Sequence, residues 1–303
     1  MSRVWPVAVA ILTLAVVGVP LALPFVGLAI TPDGWAGLRD VPRLLVLLRN
    51  TLALAVGVVV VALPLGLVLA VLLYRSHLPG RHVLRSLLVV SLFIPLPLVT
   101  TAWQATLDLA GRVPGAPPPG SWRPWLTGMP MAIWIHAMAG LPWAVWLIGQ
   151  GLRGVERDVE EAALMTAGPL TVFRSVTLPR AGAAVVAAVL WLVVQSATEI
   201  TVTDMTLVRT YAEEVYTQIA APEVGAGASP QEMLARAVAA AAPWVVGLTL
   251  VVAVAMGRWQ RSSPPLTASP EPPALFRRRR PAVMAVVAGL PVVVLTAVPL
   301  RAL

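Results

Sequence analysis

The chain has 303 residues, of which 58% are hydrophobic and 12% charged, with a net charge of +8 and a mean hydropathy of +0.83. This composition excludes an ordinary water-soluble domain and indicates a protein of the lipid bilayer. The chain has no Cys, which excludes disulfides and thiolate metal sites, and no Lys, which excludes a conventional P-loop for ATP and a Lys Schiff base.

Seven apolar runs are long enough to cross a bilayer core of about 30 Å, which requires roughly 20 residues per helix. The predicted spans are 4–30, 44–73, 86–110, 129–150, 182–204, 237–257 and 282–300. We expect the first to be retained, because at its length and with two Pro inside it does not fit a cleaved signal peptide.

The connecting segments alternate in Arg content, and the richer set is expected in the cytoplasm together with the N-terminus. The inside set is Arg3, Arg75, Arg81, Arg85, Arg153, Arg157, Arg174, Arg180, Arg258, Arg261 and Arg277 to Arg280. The outside set is Arg39, Arg43, Arg112, Arg123, Arg209 and Arg236.

Proline interrupts two of the predicted spans. Pro95 and Pro97 lie in the third and Pro142 in the fourth, where we expect kinks. Such kinks suit a gate and also suit a static bundle. The outer loop 111–128 is rich in Pro and Trp, and its Trp side chains are expected at the membrane interface.

A polar interruption, EEAALMTAGPLTVFRSVTLP at 160–179, separates the fourth and fifth runs. The sequence predicts an amphipathic helix over 155–167, with acidic residues in its first turns. Gly168 is expected to end it in a left-handed conformation, and Pro169 to begin a second helix that Pro179 ends. The apolar faces are predicted to be Val155, Val159, Ala162, Ala163 and Met165 on the first helix and Leu170, Phe173 and Val176 on the second.

Two short helices that meet at a Gly-Pro corner form a knob that a partner groove can bind. The alternative is a plain connector. The skeleton Glu160, Ala162, Gly168, Val176 and Leu178-Pro179 resembles the EAA loop of bacterial ABC importer permeases. Glu161 stands where that pattern has its first Ala, and Thr166 stands where it has Gly.

The resemblance implies an all-α membrane protein with the type I ABC importer permease fold, with about six core spans plus a seventh. It implies no enzymatic activity and no cofactor. Its implied partners are separate ABC ATPase subunits, an outer substrate-binding protein, a second permease unit and membrane lipid, without nucleic acid. The implied location is the inner membrane. The implied cargo is a small solute such as ferric iron, because the run from Glu199 to Thr206 looks most like the iron-type and thiamine-type permeases.

The resemblance also assigns roles within the loop. Glu160 would bond at the docking face, Gly168 would shape the corner, and Leu178 with Pro179 would join the loop to the fifth span. The implied coupling set is Glu160, Glu161, Ala162, Ala163, Gly168, Val176, Leu178 and Pro179.

Several polar residues lie at membrane depth, where charge is costly. Glu199, with Gln195 and Thr203, is expected to line the translocation pathway; alternatively, Glu199 pairs with Arg49 or lies near the outer interface. His136 is a proton acceptor or a hydrogen-bonded packing residue. No metal-ligand spacing is present in the sequence. The rival function is an ion- or proton-coupled secondary transporter that uses Glu199 or Asp108.

The predicted segments are 1–43, with the first span; 44–257, the permease core with its coupling loop at 153–180; 258–281, a Pro- and Arg-rich linker; and 282–303. The last segment is the start of a second permease half or an ordinary seventh helix.

Overall fold

The computed structural model describes residues 40–110, 128–220, 230–262 and 281–300, with a few isolated positions before residue 31. The predicted first span, the outer Pro-Trp loop and most of the linker therefore lie outside the described residues. Apart from short turns and connections, the described parts are helical, without strands, which confirms the all-α class.

The helices follow in chain order. Their bounds are α1 Val41–Tyr74, α2 Arg81–Ser91, α3 Leu96–Ala110, α4 Gly128–Arg153, α5 Arg157–Leu164, α6 Pro169–Val172, a π-helical turn Phe173–Thr177, α7 Leu178–Arg180, α8 Gly182–Thr198, α9 Thr201–Met205, α10 Tyr211–Ala220, α11 Pro230–Ser262 and α12 Pro281–Leu300.

Among the described residues, α1 and α4 are each long and apolar enough to cross a membrane alone. Two further spans are possible if each bent pair counts as one, namely α2 with α3 and 169–180 with α8. The sixth and seventh predicted runs are also helical, as α11 and α12. The described apolar part of α12, Ala285–Pro299, is shorter than the other candidates.

The predicted third span is not a single rod. Its two halves meet at an angle of 108° between Ser91 and Leu96. Pro95 and Pro97 explain the break, because neither has the backbone N–H that would continue the helical hydrogen bonds. The kink expected from the sequence is therefore a full corner. The predicted fifth span likewise ends at Thr198, before the short helix α9.

The chain forms two compact units. The larger comprises residues 52–208 and 251–303, and its core is built from α1, α4 and α8 with contributions from α2, α3 and α12. Close approach of α4 and α8 depends on glycine: a Cβ on Gly140 would collide with Leu192, and one on Gly151 with Ala184. Since the partner number falls as the α4 number rises, the two helices are antiparallel.

In the same unit α1 runs parallel to α4. Gly57 packs against Ile133, Gly66 against Ala144, and the ring of Tyr74 against Gly149. The C-terminal ends of the two helices therefore lie at one end of the unit. The sequence likewise predicts that the segments after these two helices lie on one side of the membrane, the cytoplasmic side.

The smaller unit comprises residues 1–51 and 209–250. Its described residues are held by polar contacts at the start of α10. Arg43 forms a 2.7 Å ion pair with Glu214, the Tyr211 N–H donates to Thr51, and the Tyr211 ring stacks on Trp244. Burial raises the pKa of the Tyr211 phenol.

Candidate functional site

The loop between α4 and α8 folds as two short helical segments around a corner. Helix α5 ends at Leu164, and the chain resumes helical structure at Pro169. Pro169 occupies the first turn of α6, as predicted, where its missing N–H has no cost. The second segment continues through the π-helical turn and α7 as far as Arg180.

Glu160 is the centre of this loop, and it is completely buried. One carboxylate oxygen accepts a hydrogen bond from the Arg75 guanidinium, with which it forms an ion pair. The other accepts a 2.5 Å hydrogen bond from the Thr177 hydroxyl. A buried carboxylate is stable only when its oxygens are paired and bonded, and both oxygens of Glu160 meet this condition.

Each partner of Glu160 comes from a different element. Arg75 directly follows α1 and also donates to the Leu152 carbonyl near the end of α4, at 3.4 Å. Thr177 closes the π-helical turn. We call Arg75, Glu160 and Thr177 the buried junction. It ties both segments of the loop to the ends of α1 and α4.

The predicted position of Glu160 at a docking face is wrong, because its carboxylate lies inside the chain. Glu160 lies on the buried side of α5. Arg75 and Thr177 make this possible, because they supply the compensating charge and hydrogen bond there. The sequence alone gives little sign of the pairing between Arg75 and Glu160, since the two residues are 85 positions apart. The one local signal is that Arg75 stands just after an apolar run.

The left-handed conformation expected for Gly168 is wrong. Gly168 has φ −71° and ψ 159°, an extended conformation open to any residue. The break predicted at Pro179 lies one residue further on: Pro179 occupies the first turn of α7, the segment ends at Arg180, and the chain bends by 64° before α8. Met165 and Leu170, which belong to the predicted apolar faces, are 86% and 53% exposed.

The exposed tip of the loop is apolar. Met165 and Leu170 flank the Gly-Pro corner together with exposed Ala162 and Pro169, and we call these four residues the apolar corner. Surface ion pairs lie beside it, Arg157 with Glu161 at 2.7 Å and Arg180 with Glu156 at 3.4 Å. Exposed apolar side chains at a corner are typical of a protein contact surface.

The rest of the implied coupling set is divided between surface and core. Glu161, Ala162, Gly168 and Pro179 are exposed. Ala163, Val176 and Leu178 are half-buried and pack against the core of the larger unit. Their part in coupling to an ATPase stays a prediction.

A second polar cluster lies between α4 and α8. The Glu199 carboxylate accepts the backbone N–H groups of Thr201 and Val202 at 2.8 and 2.9 Å, beside the break between α8 and α9. Its other neighbour is His136, whose Nε2 lies 4.0 Å from Glu199 Oε2, beyond hydrogen-bond distance.

His136 is 1% exposed, and within the described part of the chain neither ring nitrogen has a hydrogen-bond partner. The expectation of a hydrogen-bonded packing residue is therefore wrong. Gln195 lies one helical turn before Glu199, beside Gly140, and its Oε1 is buried with no donor among the described residues. The buried Thr203 hydroxyl donates to the Ile200 carbonyl of its own helix.

Gln195 also lines a cavity of about 230 Å³ in the larger unit. Glu199 and Thr203 are not among its lining residues, so the three predicted pathway residues do not share this wall. The side chain of Asp108, named for the rival function, lies outside the described residues.

A comparison of the chain with models of known protein families finds no match, and a comparison with curated proteins finds none either. The described residues define an all-helical protein with two to four helices able to span a membrane.

Proposed function

We propose that the chain is a transmembrane permease subunit of an ABC importer, driven through the 153–180 loop by a separate ATPase subunit. The observation that carries this proposal is the contrast within the loop: its base is fixed by the buried junction, and its tip exposes the apolar corner. A connector needs neither feature.

This arrangement can transmit a displacement of the loop tip to the ends of the spanning helices. A force on the apolar corner passes through α5 to Glu160, and from there to Arg75 at the end of α1 and to Thr177 beside α7. Because the junction is buried and fully bonded at the carboxylate, the loop moves with the helix ends. ATP-driven closure of two ATPase subunits would thereby swing the spans between inward and outward access.

The proposal includes the other components of such an importer. A second permease unit completes the pathway, an outer binding protein delivers the cargo, and the loop faces the cytoplasm of an inner-membrane location. The cargo is a small solute.

The direct test is whether the purified chain captures an ABC ATPase subunit, sought first among the products of the neighbouring genes. Leu170→Asp should weaken capture roughly tenfold or more, because it puts a charge at an exposed apolar residue that the complex would bury. Leu207→Asp, at an exposed leucine outside the loop, is the matched control. Equal capture by both variants would contradict the proposal.

Sidedness offers an independent test, because the chain has no Cys. Thr166→Cys places one thiol at the exposed corner. A membrane-impermeant maleimide should label it in inverted vesicles and not in intact cells. Labelling in intact cells would place the loop outside and end the proposal.

One observation favours a second candidate, an ion- or proton-coupled transporter. His136 Nε2, which has no hydrogen-bond partner among the described residues, lies 4.0 Å from Glu199 Oε2, and the two groups form a pair able to share a proton. Uptake that persists in ATP-depleted vesicles under a proton gradient, and that is lost in Glu199→Gln, would favour this candidate.

A further inference from the structure

The cavity beside Gln195 lies at the corner between α2 and α3. Its wall includes Ser91, Leu92 and Ile94 from that corner, Trp103 from α3, and Met138 and Trp143 from α4. Leu295 and Pro299 of α12 close part of it. At about 230 Å³ it has room for a small organic molecule.

Within the described residues, backbone carbonyls at this corner lack some of the donors that a continuous helix would supply. Pro95 has no N–H for the Leu92 carbonyl, and Pro97 has none for the Ile94 carbonyl. The Leu98 N–H, the next candidate for Ile94, is already bonded to Pro95. The corner also contains the C-terminal end of α2, an 11-residue helix, and that end of a helix favours positive charge.

Side chains of the cavity wall add further groups that suit a cationic or N–H-bearing ligand. Trp103 and Trp143 both line the cavity, and indole rings offer a large apolar surface that also tolerates a nearby cation. The buried Gln195 Oε1 has no donor among the described residues, which carries a cost that a ligand N–H group would relieve. The Ser91 hydroxyl donates to Leu88 at 2.7 Å, so its oxygen is left to accept.

We propose that this cavity is a binding site for a small organic amine, with the ammonium group at the acceptor-rich corner of α2 and α3 and the apolar body against the part of the wall that includes Trp103 and Trp143. This inference rests on the proposed function, and it narrows the cargo from a small solute to an organic cation. The described residues contain no group of three or more His, Cys, Asp or Glu that could hold a metal ion, and none of the described residues that line the cavity is charged.

The test uses the full chain in lipid nanodiscs, without any ATPase, and two probes that share a phenyl body. Phenethylamine carries an ammonium group, and phenylacetate carries a carboxylate. Calorimetric titration should show saturable binding of phenethylamine at least roughly tenfold tighter than that of phenylacetate, the loss expected when a hydrogen-bonded charge is reversed. No saturable binding of phenethylamine at millimolar concentration, or equal binding of both probes, would overturn the proposal.

Variants locate the site. Ala139→Phe fills the cavity and should abolish phenethylamine binding, whereas Ala105→Phe, at an exposed position of α3, should leave it unchanged. Gln195→Leu should weaken binding several-fold relative to Gln150→Leu, an exposed position on α4. Binding that survives Ala139→Phe would mean that the cavity is not the site.

The outcome is separable from that of the ATPase experiment. If the ATPase is captured but phenethylamine does not bind, only the cargo class fails. If phenethylamine binds but no ATPase is captured, the site stands and the mode of energy coupling fails. Tight binding of ferric citrate with no binding of phenethylamine would overturn the amine site and favour an iron cargo.

Discussion

The larger unit contains two buried polar clusters that differ in how far their polar atoms are paired. In the buried junction, both carboxylate oxygens of Glu160 have donors, one of them charged, and Arg75 Nε is the junction atom that lacks a partner among the described residues. In the cluster between α4 and α8, His136 and Gln195 hold buried atoms that lack partners in the described part of the chain. Satisfied networks fix a structure, whereas unsatisfied ones cost stability and mark sites of function. The comparison assigns stability to the loop base and solute contact to the bundle interior.

The largest expected effect is at the junction. Glu160→Ala leaves the Arg75 guanidinium buried without its counter-charge and should destabilise the protein by about 3–5 kcal/mol. Thermal or denaturant unfolding in nanodiscs measures this. Glu161→Ala, the exposed neighbour paired with Arg157, is the control and should change stability by less than about 1 kcal/mol. Equal effects from both variants would remove the distinction between the clusters.

The helix contact that supports the second cluster is expected to be the next most sensitive. Gly140→Ala introduces a Cβ that would collide with Leu192 and press on Gln195, and it should cost about 1–3 kcal/mol. Gly168→Ala is the matched substitution, with no atom within 4 Å of the new Cβ and an ordinary φ, and it should be neutral. Unfolding curves of the two variants decide the point; a large effect at Gly168 would indicate that the loop needs glycine after all.

His136→Leu tests the comparison of the two clusters through an expected gain in stability rather than a loss. It removes two buried nitrogens that have no partners within the described residues and should stabilise the fold by about 1–2 kcal/mol while transport falls. Thr177→Val is the contrasting variant, because its hydroxyl is bonded to Glu160, and it should destabilise. A loss of stability in His136→Leu would show that the imidazole is satisfied in the membrane.

The smallest expected effect concerns the helix after Glu199. Leu207 has φ +60° at the end of α9, with the Val208 N–H bonded to Thr203 and the Leu207 N–H to Asp204, a helix-ending motif that usually holds glycine. Leu207→Gly should therefore stabilise by about 1 kcal/mol, and Leu207→Ala should not. Melting temperatures of the two variants compare them directly.

Local chemistry predicted much of the fold. The lengths of α1 and α4 follow from their apolar runs, and Pro169 marks the start of the second loop segment as expected. Pro95 and Pro97 predicted a bend between α2 and α3, but not an angle of 108°, because the angle depends on how α12 packs against both halves.

The candidate site was predicted less completely. The sequence singled out Glu160 as a central residue, but its direction depends on Arg75 and Leu152, which are distant along the chain and near in space. Gly168 was assigned a left-handed conformation from its residue type alone, whereas the extended backbone before Pro169 sets its φ. The pairing of His136 with Glu199 likewise depends on the register of α4 against α8, which no local pattern reveals.

The π-helical turn at Phe173–Thr177 carries one residue more than ordinary helical winding needs. Because a π-helical turn holds about one residue more than an α-helical turn, loss of one residue there would restore ordinary winding and leave α7 at nearly the same rotation relative to α6. The Thr177 hydroxyl would then keep its direction toward the carboxylate that it now contacts. A single-residue deletion before Thr177 within this turn should therefore be tolerated, whereas a deletion inside α8 would rotate the rest of that helix by about 100° and should not be.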